Sequence, residues 1–343
     1  MSESAHAKVQ QQTPQVQLIH MAKAHWVSGI VYAAAQMNLA DHLVAPMTAA
    51  DLARLTKCDA SSLYRIMRTL AGMGVFTEDS DHQFSLTPLG KALRTGTPDS
   101  VRSAVLFLAG DGDRQSSGQL HYSIQTGKTA FEKIFGMGLF EWFAEHPVDA
   151  SMFSKTMTVL NRGKHEAVAE AYDFSQAGTV VDVGGANGSL LATVLTHYRE
   201  PRGILFDLPH VVRDAPTLIK AHGLTDRIAI EYGSFLDRVP ATSGAYMLSQ
   251  VIHDWGEDQC LAILGNCRRA MKPNSRLLII EMVLPTGNTP HPGKMLDIVM
   301  LAVAGGQERT EPEYRELLEK TGFQLTRVVP TESAVSIVEA LPA

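Results

Sequence analysis

The chain is poor in cysteine, in aromatic residues and in net charge. Among 343 residues there are 3 cysteines, 7% Phe, Trp and Tyr, and a net charge of −6. Three cysteines are too few for a disulfide scaffold, and we expect reduced thiols in a cytoplasmic protein. The small net charge gives no reason to expect nucleic acid or an anionic membrane as a partner.

Targeting signals, long apolar runs and metal motifs are also missing. Residues 1–6 lack the charged and apolar regions of a signal peptide. The most apolar candidate segment, residues 26–40, is interrupted by Ser28, Gln36 and Asn38, so we interpret it as a buried helix rather than a membrane span. The Cys and His spacings match no metal motif, and we predict no metal.

The length and pattern of the chain predict more than one domain. Residues 1–100 are predicted to form a mostly helical domain, which begins with a loose polar arm over residues 1–14. Residues 101–172 are predicted to form a helical connector that contributes to a substrate pocket. Residues 173–343 alternate between strands and helices, with strands at 179–183, 203–207, 227–231, 244–249 and 276–282, which indicates a doubly wound parallel sheet.

The first domain contains two recognisable features. Residues 16–43 are helical in pattern and are a candidate dimer surface, although packing within their own domain explains the periodicity equally well. A helix that starts at Thr48, a second helix that Asp59 and Ser61 can cap, and a hairpin after it predict a winged helix-turn-helix. That fold often binds DNA, but the predicted wing tip carries Glu78, Asp79 and Asp81, which phosphates would repel. We therefore favour an architectural role over a DNA-binding one.

Residues 180–188, VVDVGGANG, are the most informative segment. An apolar run that ends in Asp182 and a glycine cluster indicates a strand, a tight turn and a helix, where the backbone can approach a ligand. Asp207 closes the next apolar run and can accept both hydroxyls of a ribose. A carboxylate at the turn suits an ammonium or sulfonium better than a pyrophosphate, which favours S-adenosylmethionine (SAM) over NAD. A glycine turn without a ligand is the alternative.

Three more polar residues follow predicted strands. His253 comes after the strand at 244–249, Glu281 lies at the end of the strand at 276–282, and Glu308 stands in the later segment GGQERT. Methyl transfer to a phenol needs the acceptor aligned and its proton removed, and His is a suitable base when a carboxylate fixes its tautomer. Each of these residues taken alone is better explained as an ordinary surface or core residue.

Five segments together resemble a known family. Residues 180–188, 206–211, 253–255, 281–285 and 305–310 are similar, in order, to motifs of the plant caffeate-type and bacterial SAM-dependent O-methyltransferases, which need no metal. The resemblance covers nearly the whole chain, including the winged-helix unit, which in that family dimerises and caps the partner's pocket. It implies a homodimer, a small aromatic substrate, SAM as cofactor and S-adenosylhomocysteine (SAH) as product.

The resemblance also implies roles for individual residues. His253 matches the general base, and Glu281 and Glu308 match the acids that flank it. Gly184 matches the backbone contact to the methionine portion of SAM, and Asp207 the ribose ligand. The further cofactor residues implied are Asp182, Gly185, Gly188, Leu208, Ser234, Phe235, Ser249, Asp254 and Trp255.

Two positions depart from the plant pattern. Ser234 replaces an Asp near the adenine, and Ser249 replaces a Lys ahead of the His motif. Both bear on SAM affinity rather than on the reaction class. Candidate pocket residues are the apolar Trp142, Phe143, Phe153, Met157 and Met300, although most such residues are core.

The sequence thus predicts an α/β protein, with a Rossmann-like SAM-binding catalytic domain behind a mostly helical, winged-helix dimerisation domain. Its predicted activity is methyl transfer from SAM to a hydroxyl of an aromatic small molecule. The alternatives are an N- or C-methyltransferase on the same fold, a relative that keeps SAM as a structural ligand, and a ligand-sensing DNA-binding regulator.

Overall fold

The computed structural model describes residues 13–343, in two compact units. One unit comprises the chain up to Arg114 together with Val148–Leu160, and the other comprises Gln115–Pro147 and Asn161–Ala343. Most of the predicted polar arm, residues 1–12, lies outside the described residues, and the three-part division at residues 100 and 172 remains a prediction. No helix in the described part of the chain is long and apolar enough to cross a membrane.

The N-terminal unit is mostly helical, with one small sheet. Strand β1 pairs with β3, and β3 pairs with β2, all antiparallel. The elements are α1 (Pro14–Gln36), α2 (Leu39–His42), β1 (Met47–Thr48), α3 (Ala49–Thr56), α4 (Ala60–Gly72), β2 (Phe76–Glu78), β3 (Gln83–Leu86), α5 (Pro88–Lys91) and α6 (Arg102–Leu108), with α7 (Asp111–Gly118) at the boundary and α11 (Pro147–Leu160) returning later.

The predicted helix starts and hairpin of this unit are confirmed, with Asp59 as the cap of α4 and Ser61 inside that helix. The Thr48 hydroxyl accepts the amide of Asp51 at 3.2 Å, and the Asp59 carboxylate accepts the amide of Ser62 at 2.8 Å. Each cap satisfies an amide that has no partner within the helix, which fixes where α3 and α4 begin. Strand β1 was not predicted, because two residues are too short to show an alternating pattern.

Helix α1 exposes apolar side chains along most of its length. Its large exposed side chains include Trp26 and Met21, which are 67% and 74% exposed, together with Leu18 and Ile19. Only Ala34 and Ala35, near its end, are fully buried. An apolar surface of this size on one helix is typical of a protein–protein contact.

The second unit is built around a seven-stranded sheet, in the order β6-β5-β4-β7-β8-β10-β9. Its strands are β4 (Thr179–Val183), β5 (Arg202–Asp207), β6 (Ile228–Tyr232), β7 (Ala245–Ser249), β8 (Arg276–Glu281), β9 (Phe323–Pro330) and β10 (Ser336–Pro342). Its helices are α8 (Leu120–Thr126), α9 (Ala130–Phe135), α10 (Leu139–Glu145), α12 (Lys164–Ala171), α13 (Ser189–His197), α14 (Ala215–Ala221), α15 (Glu257–Ala270), α16 (Pro292–Val299) and α17 (Glu311–Glu319). Short 3₁₀ turns at Val212–Asp214 and Ile252–Asp254, and a π-helical turn at Met300–Ala304, complete it.

Strands β4 to β8 are parallel to one another, which confirms the predicted doubly wound sheet. Each of the five predicted strands is present to within two residues. Strands β9 and β10 were not predicted; β10 runs antiparallel between β8 and β9. Apolar side chains of the sheet are buried on both of its faces, for example Val180 with Leu191 on one and Val181 with Ile263 on the other. Polar groups are therefore presented at the carboxyl ends of the parallel strands.

Candidate active site

Three predicted residues meet beyond the carboxyl ends of two neighbouring strands. His253 lies in the 3₁₀ turn that follows β7, and Glu281 is the last residue of β8. Glu308 comes from the segment after the π-helical turn. All three residues are buried. The convergence of one imidazole with two carboxylates, predicted from the strand pattern, is present in the fold.

The His253 ring lies between two carboxylates. Its Nδ1 is 2.6 Å from Oε1 of Glu308, and its Nε2 is 3.5 Å from Oδ1 of Asp254. The backbone N–H of His253 donates to Oε1 of Glu281 at 3.1 Å. Glu308 therefore fixes the ring, while Glu281 fixes the backbone that carries it.

Side chains and backbone from other segments hold the two glutamates. The Tyr314 hydroxyl, from α17, donates to Oε2 of Glu281. The Glu308 amide donates to Asp297 at 2.9 Å, whereas Oε2 of Glu308 is buried without a hydrogen-bond partner. A buried carboxylate oxygen with no partner costs free energy, so a charge or a ligand nearby is expected to compensate for it.

A glycine and an arginine join the Glu308 segment to the His253 turn. The Gln307 amide donates to the His253 carbonyl at 2.8 Å. A Cβ on Gly306 would lie only 1.8 Å from that carbonyl oxygen, so the close approach requires glycine. The Arg309 guanidinium donates to the carbonyl of Ile252 at 3.2 Å. The Glu308 segment and the His253 turn are thus held together mainly through backbone groups.

The carboxylates shift the proton affinity of the imidazole. Burial alone would lower the pKa of His253, but the charges of Asp254, Glu308 and Glu281 outweigh it and raise the pKa to about 10. Burial raises the pKa of Asp254 to about 6, against the opposing charge of His253. The ring is therefore strongly favoured in its cationic form.

The glycine turn after β4 forms a second cluster. Gly184 and Gly188 adopt φ angles of +74° and +78°, which favour glycine. A Cβ on Gly185 would lie 2.5 Å from Cγ of Asp182. Asp207, at the end of β5, accepts the Ala186 amide at 3.0 Å through Oδ2, so the turn is fastened to the neighbouring strand. The predicted glycines and both aspartates are thus close together.

Asp182 is buried, and neither of its carboxylate oxygens has a hydrogen-bond partner. Burial, and next the charge of Asp207, raise its pKa to about 7. The nearby amide of Leu191 opposes this shift without reaching hydrogen-bond geometry. Burial also raises the pKa of Asp207, despite the amides of Leu208 and Ala186. A positively charged ligand would compensate for this pair of buried acids.

Aromatic side chains adjoin the same turn. Phe235 packs edge-on against Trp255, with ring centroids 5.8 Å apart. Cε1 of Phe235 would lie 3.2 Å from a Cβ added to Gly184. Leu208 donates its amide to Asp207 at 2.7 Å, and the Ser234 hydroxyl accepts the amide of Leu236 at 3.2 Å. Ser249 ends β7, where it pairs in register with Ile280.

Comparison with known proteins identifies the family. A family model for the O-methyltransferase domain matches residues 118–324, and a model for the O-methyltransferase dimerisation domain matches residues 19–96. The phenazine O-methyltransferase PhzM of Lysobacter antibioticus is 43% identical over 326 residues, which are 95% of both chains. This chain belongs to the O-methyltransferase family.

Two further relatives of this O-methyltransferase show what related chains act on. One is NcsB1, an O-methyltransferase from neocarzinostatin biosynthesis, whose crystal structure is a complex with SAM and 2-hydroxy-5-methyl naphthoic acid. It matches this chain with a TM-score of 0.82 and 33% identity, over 92% of this chain and 96% of that one. The 8-amino-8-demethylriboflavin N,N-dimethyltransferase of Streptomyces davaonensis is 32% identical over 318 residues, 91% of both chains. The family therefore includes chains named for methylation of oxygen and of nitrogen.

The predicted pocket residues of this O-methyltransferase are divided between the two units. Trp142 and Phe143 pack in a cluster of the second unit with Phe131, and Met300 is buried in the π-helical turn. Phe153 lies in the first unit, where its ring centroid is 5.5 Å from that of Phe107. Met157 lies on the same helix, α11. That these five line one pocket remains a prediction.

Several residues near the O-methyltransferase site were missed. Tyr314 lies on an amphipathic helix where its spacing to Leu317 and Leu318 indicates core. The Phe140 ring, whose centroid is 5.9 Å from that of Trp255 and which is nearly parallel to it, lies two residues before the predicted pocket residue Trp142. Within residues 13–343, no group of His, Cys, Asp or Glu side chains is arranged to hold a metal ion. The expected independence from metals remains a prediction.

Proposed function

We propose that this O-methyltransferase transfers the methyl group of SAM to a hydroxyl of an aromatic small molecule, in specialised metabolism, and that it works in the cytoplasm as a homodimer. The observation that supports the reaction best is the buried His253 ring, held at 2.6 Å by Glu308 beyond the end of β7. A fixed imidazole at the ligand end of the sheet is what removal of a hydroxyl proton requires.

The residues at the glycine turn fit SAM. Asp182 provides a buried carboxylate without a hydrogen-bond partner, which suits the ammonium and sulfonium charges of that molecule. The glycines leave room for a ligand to approach the backbone, and the proposed ligand of the ribose hydroxyls is Asp207, at the carboxyl end of β5. When bound, SAM supplies an electrophilic methyl group on a positively charged sulfur.

The protein's own task is to align the acceptor and to deal with its proton. His253 is proposed as the general base, since its Nε2 is the ring nitrogen that is not bonded to Glu308. Glu308 fixes the tautomer and steadies the imidazolium, and Glu281 orients the turn through its bond to the His253 amide. Alignment of the acceptor oxygen with the methyl group lets the displacement proceed in line.

Two findings support the aromatic substrate and the dimer. PhzM is named for phenazine, and NcsB1 was crystallised with a naphthoic acid, so similar chains act on or bind flat aromatic molecules. The family model of a dimerisation domain covers residues 19–96, and the exposed apolar side chains of Ile19, Met21 and Trp26 on α1 lie within it. We propose that a second copy covers this helix.

Calorimetric titration with SAM and SAH, followed by methyl transfer to hydroxylated aromatics, tests the proposal. We expect micromolar binding of both ligands and a gain of one methyl group located on oxygen by NMR. The variant His253→Ala should lower turnover by at least about 10²-fold and leave SAM binding nearly unchanged. Full turnover of that variant would remove His253 from the mechanism, and failure of both ligands to bind would overturn the whole proposal.

Methylation of nitrogen is a second candidate, favoured by one observation. A relative named for dimethylation of an amino group is 32% identical over 91% of this chain. An aromatic amine has a free lone pair and needs no base before transfer, so His253→Ala would leave an amine substrate methylated. NMR of the product, which identifies the methylated atom, distinguishes the two candidates.

A further inference from the structure

A buried asparagine on α15 fixes the turn that follows β6. The side-chain amide of Asn266 donates to the carbonyl of Phe235 at 2.8 Å and to that of Leu236 at 2.9 Å. Its Oδ1 accepts a hydrogen bond from the guanidinium of Arg269. Both N–H groups and the oxygen of the amide are therefore used, and a reversed amide would lose all three bonds. The side chain is thus held in one orientation.

The turn, residues 234–238, receives from this amide what its own backbone does not supply. Inside it, two amides donate to the Ser234 carbonyl at 3.0 Å. Among the described residues, no backbone amide donates to the carbonyl of Phe235 or of Leu236. Asn266 is the protein group that satisfies both carbonyls, and its loss would leave two backbone acceptors without a protein partner. The position of the turn therefore depends on this side chain.

The turn brings one aromatic ring to the glycine turn after β4. Phe235 lies edge-on to Trp255, and its Cε1 would lie 3.2 Å from a Cβ added to Gly184. Both rings are half-buried, so part of each is exposed beside the glycine turn. Aromatic side chains offer a flat ligand a large apolar contact. A shift of residues 234–238 would move the Phe235 ring away from this surface.

The helix behind the turn is a rigid base. Ile263, Leu264 and Cys267 on α15 are fully buried, in one core cluster with Val181 of β4. Asn266 therefore has a fixed position relative to β4, the strand that leads into the glycine turn. A side chain on a packed helix sets a contact more precisely than a side chain on a loop.

The composition of the turn makes the position of its ring important. Ser234 stands where the plant pattern has an Asp, so its side chain offers no charge to a ligand. What the turn contributes to the cofactor site is the Phe235 ring. A ring that is in place before the cofactor arrives avoids a loss of conformational freedom on binding, which raises the affinity.

We propose that Asn266 is a positioning residue for the cofactor, which holds residues 234–238 so that the Phe235 ring packs against the adenine of SAM. Asn266 acts through that ring and not by contact with SAM or with the acceptor. The inference rests on the proposed function, because it takes the glycine turn after β4 as the SAM site. Asn266 thus sets the affinity for the cofactor and leaves the rate of methyl transfer unchanged.

The first test removes the two hydrogen bonds from the whole enzyme. Asn266→Ala deletes the amide, and Asn266→Asp keeps its shape but replaces the N–H donors with an acceptor. In each variant the Kd for SAM and for SAH, measured by calorimetry, is expected to rise by about 10-fold or more. The KM for SAM should rise in parallel, whereas kcat at saturating SAM should stay within about 2-fold of the native value. Asn266→Asp decides the outcome if Asn266→Ala does not fold.

Arg268→Ala is the matched control. Arg268 also lies on α15 and donates to two backbone carbonyls, those of Gly322 at 2.9 Å and Ala343 at 3.0 Å, which belong to neither the glycine turn nor residues 234–238. This variant should keep the native Kd for SAM. An unchanged Kd in the folded Asn266 variants, an equal rise in Arg268→Ala, or a fall in kcat as large as the rise in Kd would overturn the proposal.

A double-mutant cycle tests whether Asn266 acts through Phe235. Phe235→Ala alone is expected to weaken SAM binding by about 10-fold or more, because the adenine loses an aromatic contact. Asn266→Ala in the Phe235→Ala protein should then cause little further loss, since the ring that it positions is gone. Losses that add fully in the double variant would overturn the proposal. Failure of the proposed function would look different, because the native enzyme would then bind neither SAM nor SAH.

Discussion

At the scale of single residues, the candidate site side chains could be predicted from the sequence, but the residues that hold them in position could not. His253 and Glu281 were predicted because each stands at or just past the end of an apolar run at the ligand edge of the sheet, and Glu308 because its segment resembles a motif of the family. Tyr314 and Arg309 were not, since a Tyr on an apolar helix face and an Arg near a helix start are both common without any function. Their roles depend on pairings that only the folded chain creates.

The buried carboxylate of Asp182 makes a prediction about pH. Its pKa is about 7, and bound SAM would favour the charged form, so binding should release a proton. Affinity for SAM is therefore expected to rise as the pH increases from about 6 to 8. Calorimetry at the two pH values should show the increase in the native enzyme and its absence in Asp182→Asn. The variant Asp173→Asn, which changes an exposed acid, should keep the rise in SAM affinity with pH. An equal rise in all three proteins would contradict a role for Asp182 in binding the charge of SAM.

Gly306 allows a test of the contact that joins the His253 turn to the Glu308 segment. A Cβ there would lie 1.8 Å from the backbone oxygen of His253, which cannot move without the turn. The variant Gly306→Ala is expected to lose at least about 10²-fold in kcat, because His253 and Glu308 are pushed apart, while SAM binding persists. Gly138→Ala is the matched control, with φ of −68° and nothing within 4 Å of the added Cβ. An equal loss of kcat in both variants would show that the close approach of Gly306 to the His253 carbonyl does not position the two segments.

At the scale of elements, the parallel part of the sheet was predictable and its antiparallel edge was not. Helices separate neighbouring strands from β4 to β8 except between β6 and β7, where the predicted helix is absent, and the apolar runs alone identified the strands. Strand β10 is inserted between β8 and β9, with Ser336 opposite Glu281, a pairing of residues far apart in sequence. Such a register is set by long-range packing and leaves no local pattern.

Glu339 on β10 anchors this edge and makes a second prediction about pH. It accepts the hydroxyls of Tyr172 at 2.5 Å and Thr326 at 2.8 Å, and the guanidinium of Arg327 at 3.1 Å. Burial raises its pKa, but these donors outweigh burial, and the net shift is downward. A lowered pKa in the folded state means that the stabilisation is present above the unfolded-state pKa and is lost as the pH falls through the folded-state pKa.

The variant Glu339→Gln should therefore lower the free energy of unfolding by about 1–3 kcal/mol near neutral pH. The difference from the native protein should shrink in acid, which denaturant unfolding at several pH values will measure. Glu319→Gln, at an exposed glutamate of α17, is the control and should unfold like the native protein. A difference that stays constant with pH would show that the charge of Glu339 does not matter.

At the scale of the whole molecule, the exposed face of α1 predicts the oligomeric state. Met21 and Trp26 are 74% and 67% exposed, more than large apolar side chains usually are. The double variant Met21→Lys, Trp26→Asp is expected to convert a dimer to a monomer in light scattering at micromolar concentration. Tyr232→Lys, at an exposed apolar residue of β6, should remain dimeric. A native protein that is monomeric would refute the dimer directly.

The position of β10 has a consequence for the order in which the protein is made. It is the last of the seven strands along the chain, yet it lies inside the sheet. Until residues 336–342 leave the ribosome, β8 has an open edge that no other strand of the nascent chain covers. Strand β8, which ends in Glu281, therefore gains its second neighbouring strand only after every other strand has been translated. Until then its open edge is a place where chaperones would protect the newly made enzyme from aggregation.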